Sequence, residues 1–449
     1  NIFPGMTIAH KNGREIGEDT VTAVERKQYR GDVYDLDVRY VHNYIANDIV
    51  VHNCIYIWRG AHIRNLLGFE KDYPKAKVVL LEENYRSTQT ILAAANQVIE
   101  KNKLRREKTL ITKNAEGEKI GLFAAYDEAD EAAFASLTAK RLIEDGTPPR
   151  EIAVLFRANF QSRALEEAFM NAEVPYQVLG IRFFERKEVK DVVSYVRAAL
   201  RPESLSDMKR IANAPPRGLG KVTLLKLFAG QESSLPRGAQ EKVRAFRKLL
   251  ETFKEKLTAE PLSVALKWIV SASGLEAELK KGGADDTERL ENIRELVTFA
   301  TRYDIPPAGG AEERETAVNQ FLADAALQSD QDELKEEKNA VRLMTVHASK
   351  GLEFDHVFIT GLEQDLFPHS RFGEDERTEE KAEEERRLFY VALTRARKKI
   401  FLTYANARTI FGARQVNLPS EFIFDIDEEL LQAEAISNFE YPISKKIEY

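Results

Sequence analysis

Cysteine is almost missing from this 449-residue sequence, which contains a single one, Cys54. One cysteine excludes an internal disulfide framework and a cysteine-rich zinc site. Long apolar runs are also missing, since none approaches the roughly 20 residues that span a bilayer. The start of the chain does not have the basic-then-apolar pattern of a signal peptide. We therefore expect a cytoplasmic protein with no membrane partner.

Two further absences concern nucleotides and charge. The sequence contains no Gly-x-x-x-x-Gly-Lys followed by Ser or Thr, the loop that cradles phosphates in many nucleotide-binding proteins. The formal net charge of −7 argues against a generally basic coat for nucleic acid, although it allows a local basic groove. The length predicts roughly two to four domains. A first residue of Asn1 rather than methionine indicates a piece of a longer protein.

His52, Asn53 and Cys54 form a tripeptide whose side chains could cut a peptide bond and transfer an acyl group. The Asn53 amide can attack its own carbonyl carbon and close a succinimide, which breaks the following peptide bond. His52 can supply the proton that this cleavage needs. The Cys54 thiol can capture an acyl group and pass it to its own amine. Taken by itself, however, such a triplet is more often a surface turn.

The segment before this triplet reads as β structure, with short β-branched or apolar runs and a final hairpin that turns at Asn47-Asp48. Together with the runs around Asp35 and His42, the pattern resembles the C-terminal splicing blocks of inteins. The resemblance implies that Asp35 and His42 tune the junction chemistry and that Cys54 begins the C-terminal extein. The N-terminal splicing block is absent, so we expect that this chain cannot splice alone. It would act with a separate fragment or within a longer precursor.

After Cys54 the pattern changes to alternating strands and helices, which predicts an α/β fold. The strands are continuous apolar runs, which are typical of a buried parallel sheet. Two strand–helix pairs carry this pattern, namely residues 77–81 with 88–102 and residues 152–157 with 162–171.

Tyr56, Trp58 and Arg59 place two aromatic rings and a cation within four residues. They could be core aromatics beside a surface charge, or a platform on which unpaired bases stack. Two stretches resemble motifs III and IV of the UvrD, PcrA and Rep group of superfamily 1 DNA helicases. They are Ile55–Ala61, which contains these three residues, and Leu80–Thr88, which follows. The resemblance implies that Tyr56, Trp58 and Arg59 line the single-strand track.

The same resemblance assigns roles to the residues that follow. Tyr85 would stack on adenine and Arg86 would reach the γ-phosphate, a role that suits a bidentate guanidinium. A further family block contains Arg157 and Asn159, which would contact DNA. In this family the residue at Cys54 is usually serine, and a thiol there has little helicase rationale but is required by the intein interpretation.

Residues 203–334 are helical in pattern and contain Arg217-Gly218-Leu219-Gly220. A Gly-x-Gly turn that leads into a helix exposes backbone N–H groups that can bind a phosphate. An ordinary helix–turn–helix corner is the plainer interpretation. In the helicase family, the corresponding Arg-Gly-x-Gly lies in the 2B subdomain and approaches duplex DNA, which implies DNA contacts for Arg217, Gly218 and Gly220.

Two later stretches resemble motifs V and VI of the same helicases, namely residues 342–354 and 383–396. The first contains His347 and Lys350, which by resemblance lie near the DNA backbone, and Glu353, which bonds the nucleotide ribose. A histidine at a strand end is also commonly structural. The second contains Arg395, which would be the second arginine on the γ-phosphate beside Arg86.

The expected fold is therefore a RecA-like α/β motor lobe, called 2A, with an inserted helical 2B subdomain and a preceding small all-β, Hint-type intein segment. The predicted segments are 1–53 for the intein, 54–74 for a remnant of lobe 1A, 75–202 and 335–425 for lobe 2A, 203–334 for 2B, and 426–449 for a tail. The implied function is ATP-driven 3′–5′ translocation on single-stranded DNA with duplex unwinding, in DNA repair or replication, after splicing between Asn53 and Cys54.

The implied cofactors are ATP and Mg²⁺, with the phosphate loop and the Mg²⁺ ligands in a missing N-terminal part and no metal site in this chain. The implied partners are that N-terminal part and single-stranded and duplex DNA. We therefore predict no ATPase activity for the chain alone. One rival is an autoprocessing protein whose act is cyclisation of Asn53. Another is a degenerate DNA-binding module, but such a module would not need Arg86, Glu353 and Arg395.

Overall fold

The computed structural model describes residues 7–12, 15–20, 43–46, 49–52, 74, 82–105, 107–306, 309–330, 339–369 and 378–435. The chain divides into two compact units. The first comprises Asn1–Glu83, Asn102–Leu110 and Thr378–Glu384, and the second comprises Asn84–Lys101, Ile111–Arg377 and Glu385–Tyr449. No helix in the described ranges is long and apolar enough to cross a membrane.

The first unit contains a four-stranded antiparallel sheet with the strand order β2-β1-β4-β3. The strands are β1 (Thr7–Asn12), β2 (Glu15–Thr20), β3 (Asn43–Ala46) and β4 (Ile49–His52). β3 and β4 pair antiparallel with Ala46 opposite Ile49, which confirms the predicted hairpin. The strand predicted over residues 77–81 and the predicted 1A remnant, apart from residue 74, lie outside the described residues.

A seven-stranded sheet, parallel throughout, organises the second unit. The strands of this unit are β5 (Ile120–Ala125), β6 (Ile152–Phe156), β7 (Tyr176–Val178), β8 (Val341–Thr345), β9 (Phe354–Ile359), β10 (Ala396–Ala405), β11 (Ala407–Ile410), β12 (Ala413–Val416) and β13 (Leu431–Ala433). The sheet order is β13-β5-β10-β9-β6-β8-β7, and β11 and β12 form a separate hairpin. Every residue of β6 is buried, because it lies between β9 and β8 with both faces covered. This confirms the predicted α/β fold.

The helices differ in what they cover. They are α1 (Gln89–Glu100), α2 (Glu128–Glu144), α3 (Ser162–Asn171), α4 (Lys187–Leu200), α5 (Leu205–Ile211), α6 (Lys221–Phe228), α7 (Arg237–Ala259), α8 (Leu262–Ala272), α9 (Leu275–Leu279), α10 (Ala284–Ala300), α11 (Ala311–Asp330), α12 (Glu379–Leu393) and α13 (Glu421–Phe424). α1 and α12 pack on one face of the parallel sheet, where Ile91 and Phe389 are buried. α2 and α3 pack on the other, where Phe134 and Phe169 are buried.

Helices α4 to α11 form a core of their own, as the helical pattern of residues 203–334 predicts. In α7 the buried residues Val243, Phe246, Leu250, Phe253 and Leu257 recur at intervals of three and four, so they form one apolar stripe. α4 belongs to the same core. The helical core therefore begins before residue 203.

A buried ion network ties the β11–β12 hairpin to the parallel sheet. The Arg408 guanidinium, on β11, donates to Glu131 at 2.7 Å and to Glu363 at 2.6 and 3.1 Å. The side chains of Arg408, Glu131 and Glu363 are only 6%, 4% and 1% exposed. Glu131 also accepts from the Gly361 backbone N–H and the Thr403 hydroxyl, each at 2.7 Å. One cation thus bridges two carboxylates inside the lobe.

Candidate functional site

Arg86 and Arg395 lie together at the edge of the parallel sheet where its strands begin. The Phe354 N–H, at the start of β9, donates to the Arg395 carbonyl at 3.0 Å. Arg86 Nη1 donates to the Thr394 carbonyl at 3.2 Å, and Arg395 Nη2 donates to the Thr394 hydroxyl at 3.3 Å. Two arginines about 300 residues apart in sequence therefore contact the same residue.

The loop that carries Arg86 is fixed by its neighbours. The Asn84 side-chain oxygen accepts from the backbone N–H groups of Arg86 at 2.8 Å and Ser87 at 3.0 Å. The Ser87 hydroxyl donates to the Ala396 carbonyl at 2.7 Å, which anchors the loop to the start of β10. This arrangement leaves the Tyr85 side chain 84% exposed. An aromatic ring therefore faces solvent next in sequence to Arg86.

The two guanidiniums differ in their partners. Arg86 Nε donates to Glu353 at 2.6 Å, and this hydrogen bond lowers the pKa of the Glu353 carboxyl below its usual range. Arg395 donates to neutral oxygens, those of Val391 at 3.0 Å and Leu352 at 3.1 Å besides the Thr394 hydroxyl. Within the part of the chain that the structure describes, Arg395 has no carboxylate partner. Burial and the nearby Arg86 cation lower the pKa of Arg395 to about 10.

A third arginine, Arg397, joins this site. Its Nε donates to Asp355 at 2.7 Å and its Nη1 donates to Glu353 at 3.4 Å. Its Nη2 donates to Glu151, which precedes β6. Arg397 was not predicted from the sequence, although its position two residues after Arg395 places another guanidinium beside the same strand start.

These side chains fit a nucleoside triphosphate. Guanidiniums suit phosphate oxygens, an exposed ring suits a base, and the Glu353 carboxylate can accept from a sugar hydroxyl. No group of three or more His, Cys, Asp or Glu side chains in the described residues is arranged to hold a metal ion.

A second group lies at the opposite edge of the sheet, where the strands end. Arg157 follows β6 and His347 follows the adjacent β8. The Arg157 guanidinium donates to both carboxylate oxygens of Glu385, with shortest distances of 2.8 and 2.7 Å, and both side chains are largely buried. Burial and the Arg157 cation lower the pKa of His347 to about 4, so its imidazole is neutral at pH 7. The structure brings these two predicted DNA residues together but pairs Arg157 with a protein carboxylate.

Asn159 belongs to the same edge and is also engaged. Its side-chain amide donates to Glu288 of α10, and its oxygen accepts from Arg186 at 3.0 Å. Lys350 is exposed. In this structure the helical region supplies a carboxylate to the residue that the sequence analysis assigns to DNA.

The Arg217-Gly218-Leu219-Gly220 turn is shaped by Arg217 itself. The Arg217 guanidinium donates to the Ile211 carbonyl at 3.0 Å and the Ser273 carbonyl at 2.8 Å, and it lies over the Phe246 ring at 5.3 Å. Gly218 has φ of 67°, a left-handed conformation that favours glycine. Gly218 and Gly220 are exposed, so the backbone rather than the Arg217 side chain faces solvent.

Comparison with known families decides the relationship. Residues 79–407 match the family model described as the UvrD-like helicase C-terminal domain. The chain belongs to the UvrD-like helicases. This family assignment covers both edges of the parallel sheet and the helical region, and it confirms the helicase resemblance inferred from the sequence.

Relatives of this UvrD-like helicase chain include two bacterial proteins. It is 38% identical over 395 residues to the ATP-dependent DNA helicase PcrA of Staphylococcus aureus strain Mu50, which covers 84% of this chain and 53% of the relative. It is 39% identical over 397 residues to DNA helicase II of Escherichia coli K12, which covers 84% of this chain and 54% of the relative. The chain thus spans about half the length of these relatives.

Several predicted site residues of this UvrD-like helicase lie outside the described residues. They are Asp35, His42, Asn53, Cys54, Tyr56, Trp58 and Arg59. His52 is the last residue of β4. The splicing roles and the single-strand platform therefore stay predictions. The family match begins at residue 79, after the intein-like segment.

Proposed function

We propose that this chain is the later part of an ATP-dependent DNA helicase that moves 3′ to 5′ along single-stranded DNA. The observation that carries the proposal is the meeting of Arg86 and Arg395 on Thr394. Like-charged guanidiniums repel one another, so a half-buried pair is favoured where an anion can bind between them. The relative PcrA, by its name an ATP-dependent DNA helicase, supports the same reading.

In this proposal each residue at the edge of the sheet where the strands begin has a role in nucleotide binding. Arg395 is held by backbone carbonyls and receives a phosphate oxygen. Arg86 exchanges its bond with Glu353, whose side chain is 40% exposed, for a bond with phosphate. Tyr85 stacks on the base, and Glu353 accepts from the sugar. Bound Mg·ATP supplies the phosphoryl group, whose charge in transfer the two guanidiniums stabilise.

DNA would bind at the opposite edge of the sheet, where the strands end. Arg157, Asn159 and His347 lie there, and Lys350 is exposed. The segment from the end of β8 to the start of β9 joins the two edges. It contains His347 near its beginning, Lys350 in its middle and Glu353 at its end. A shift of this segment on nucleotide binding would therefore reach the DNA-facing residues, which gives a physical link between ATP and translocation.

Activity of the assembled protein tests the proposal. We expect no ATP hydrolysis by the 449-residue chain alone, because the sequence contains no phosphate loop. Joined to an N-terminal helicase part that carries this loop, the chain should give DNA-stimulated ATPase activity. It should then unwind a duplex with a 3′ single-stranded tail but not one with a 5′ tail. Hydrolysis by the chain alone, or unwinding only from a 5′ tail, would contradict the proposal.

We further propose that the segment before Cys54 is the C-terminal part of an intein. The supporting observation is the β3–β4 hairpin, whose second strand ends at His52, one residue before Asn53. Such a hairpin fixes the backbone as far as His52. The helicase would then become complete only after Asn53 cyclises and Cys54 is joined to the preceding part.

Mass spectrometry can test splicing. Mixed with an N-terminal intein fragment that carries the first half of the helicase, the chain should give a ligated product in which Cys54 follows the new junction. Asn53→Ala should abolish release of the intein segment, because alanine has no amide to cyclise. Asn171→Ala, which removes an exposed asparagine amide at the end of α3, serves as the matched control and should leave ligation intact. Equal release from the Asn53 variant and the parent chain would refute the role of Asn53.

A further inference from the structure

Arg397 is surrounded by three carboxylates, and only one of them belongs to the proposed nucleotide site. Its Nε and Nη2 are bound by Asp355 and Glu151, next to the starts of β9 and β6. Its Nη1 is left for Glu353 Oε1, at 3.4 Å. Two anchors at the starts of neighbouring strands thus fix the guanidinium plane, and the third nitrogen reaches towards Glu353.

Glu353 is therefore held by two arginines through different oxygens. Oε2 accepts from Arg86 at 2.6 Å, and Oε1 accepts from Arg397 at 3.4 Å. Arg397 has carboxylate partners on all three nitrogens, whereas among the described residues Arg86 has one carboxylate partner, Glu353. If Arg86 turns to a phosphate, Glu353 loses its shorter bond. Among the described residues, Arg397 is then the cation that still donates to this carboxylate and holds it in place.

We propose that Arg397 is a positioning residue that holds the Glu353 carboxylate for the sugar hydroxyls of the bound nucleotide. This inference rests on the proposed function, since it needs a nucleotide at the Arg86 and Arg395 site. Arg397 would strengthen binding through the sugar hydroxyls of the nucleotide and not through its phosphates. The Arg397 guanidinium itself does not touch the nucleotide. Its effect passes through Glu353.

Equilibrium binding to the assembled helicase tests this role without relying on turnover. ATP and 2′,3′-dideoxy-ATP are each competed against a fluorescent nucleotide labelled on its base. Arg397→Met should weaken ATP binding about threefold to fivefold, the range expected for losing a partly exposed charged pair. Binding of 2′,3′-dideoxy-ATP should not change, because that nucleotide has no sugar hydroxyl for Glu353. In steady-state hydrolysis the same variant should raise KM and leave kcat near the parent value.

Lys398→Met provides the matched control. Lys398 pairs with Asp355 at 2.9 Å but has no bond with Glu353, so its loss should change neither affinity. Glu353→Gln should remove the preference for ATP over the dideoxy nucleotide, and adding Arg397→Met to it should have no further effect. Equal weakening of both nucleotides by Arg397→Met would show a merely structural role and overturn the inference, as would no weakening of either. Failure of the parent protein to bind either nucleotide would instead refute the proposed function.

Discussion

Replacing Arg395 with alanine is expected to lower kcat for ATP hydrolysis by the assembled helicase roughly a thousandfold, with a much smaller change in KM. Arg395 is the half-buried guanidinium that donates only to neutral oxygens in the described part of the chain. Its geometry is set by Val391 and Leu352, so no reorganisation is needed when charge develops on the transferring phosphoryl group. Steady-state hydrolysis with saturating single-stranded DNA measures both constants.

A conservative variant separates the planar donor geometry of Arg395 from its charge, and a second variant serves as the control. Arg395→Lys keeps a cation but loses the planar set of donors that reaches Val391, Leu352 and Thr394 together, so most of the loss should remain. Lys381→Ala removes an exposed cation from α12, and its kcat should equal that of the parent. A kcat within about threefold of the parent for Arg395→Ala would contradict the phosphate role, since it leaves under 1 kcal/mol to assign to the guanidinium.

The local pattern of the sequence predicted the elements whose signals are local. The apolar run at β6 and the helix over residues 162–171 depend on neighbours within a few positions, and both are found where they were expected. The β3–β4 hairpin is also confirmed. Its signal was local as well, because the predicted turn residues lie between two short apolar runs in the sequence. The meeting of Arg86 and Arg395 was different. It was implied by family resemblance alone, since no spacing rule relates residues so far apart.

The side-chain contacts that were not predicted join residues far apart in sequence. Arg157 and Asn159 were assigned to DNA, yet Glu385, 228 residues after Arg157, and Glu288 occupy them in this structure. Arg217 was assigned to duplex DNA, but its half-buried guanidinium binds carbonyls within the helical region. An arginine in a sequence does not reveal which carboxylate or carbonyl it will meet, because that pairing depends on the tertiary fold. For the same reason, the sequence did not reveal the contacts of Arg397 and Arg408.

Replacing Arg408 with methionine is expected to destabilise the lobe by about 3–5 kcal/mol, the cost of leaving buried carboxylates without their cation. Glu131 and Glu363 would both lose Arg408, while Glu131 would keep the Gly361 N–H and the Thr403 hydroxyl. Methionine fills similar volume, so the loss should reflect charge rather than a cavity. Urea unfolding of the 449-residue chain, followed by tryptophan fluorescence and circular dichroism, measures the free energy of unfolding.

Removing the carboxylates together with Arg408 tests that cause. The triple variant Arg408→Met, Glu131→Gln and Glu363→Gln buries no net charge, and neutral amides can still accept from the Gly361 N–H and the Thr403 hydroxyl. It should therefore recover a large part of the stability lost in the single variant, because an unpaired buried charge costs more than a buried amide. Arg414→Met, on the exposed strand β12 of the same hairpin, should cost less than about 1 kcal/mol. A triple variant no more stable than Arg408→Met would mean that the guanidinium stabilises the lobe by packing, and that uncompensated charge is not the cause.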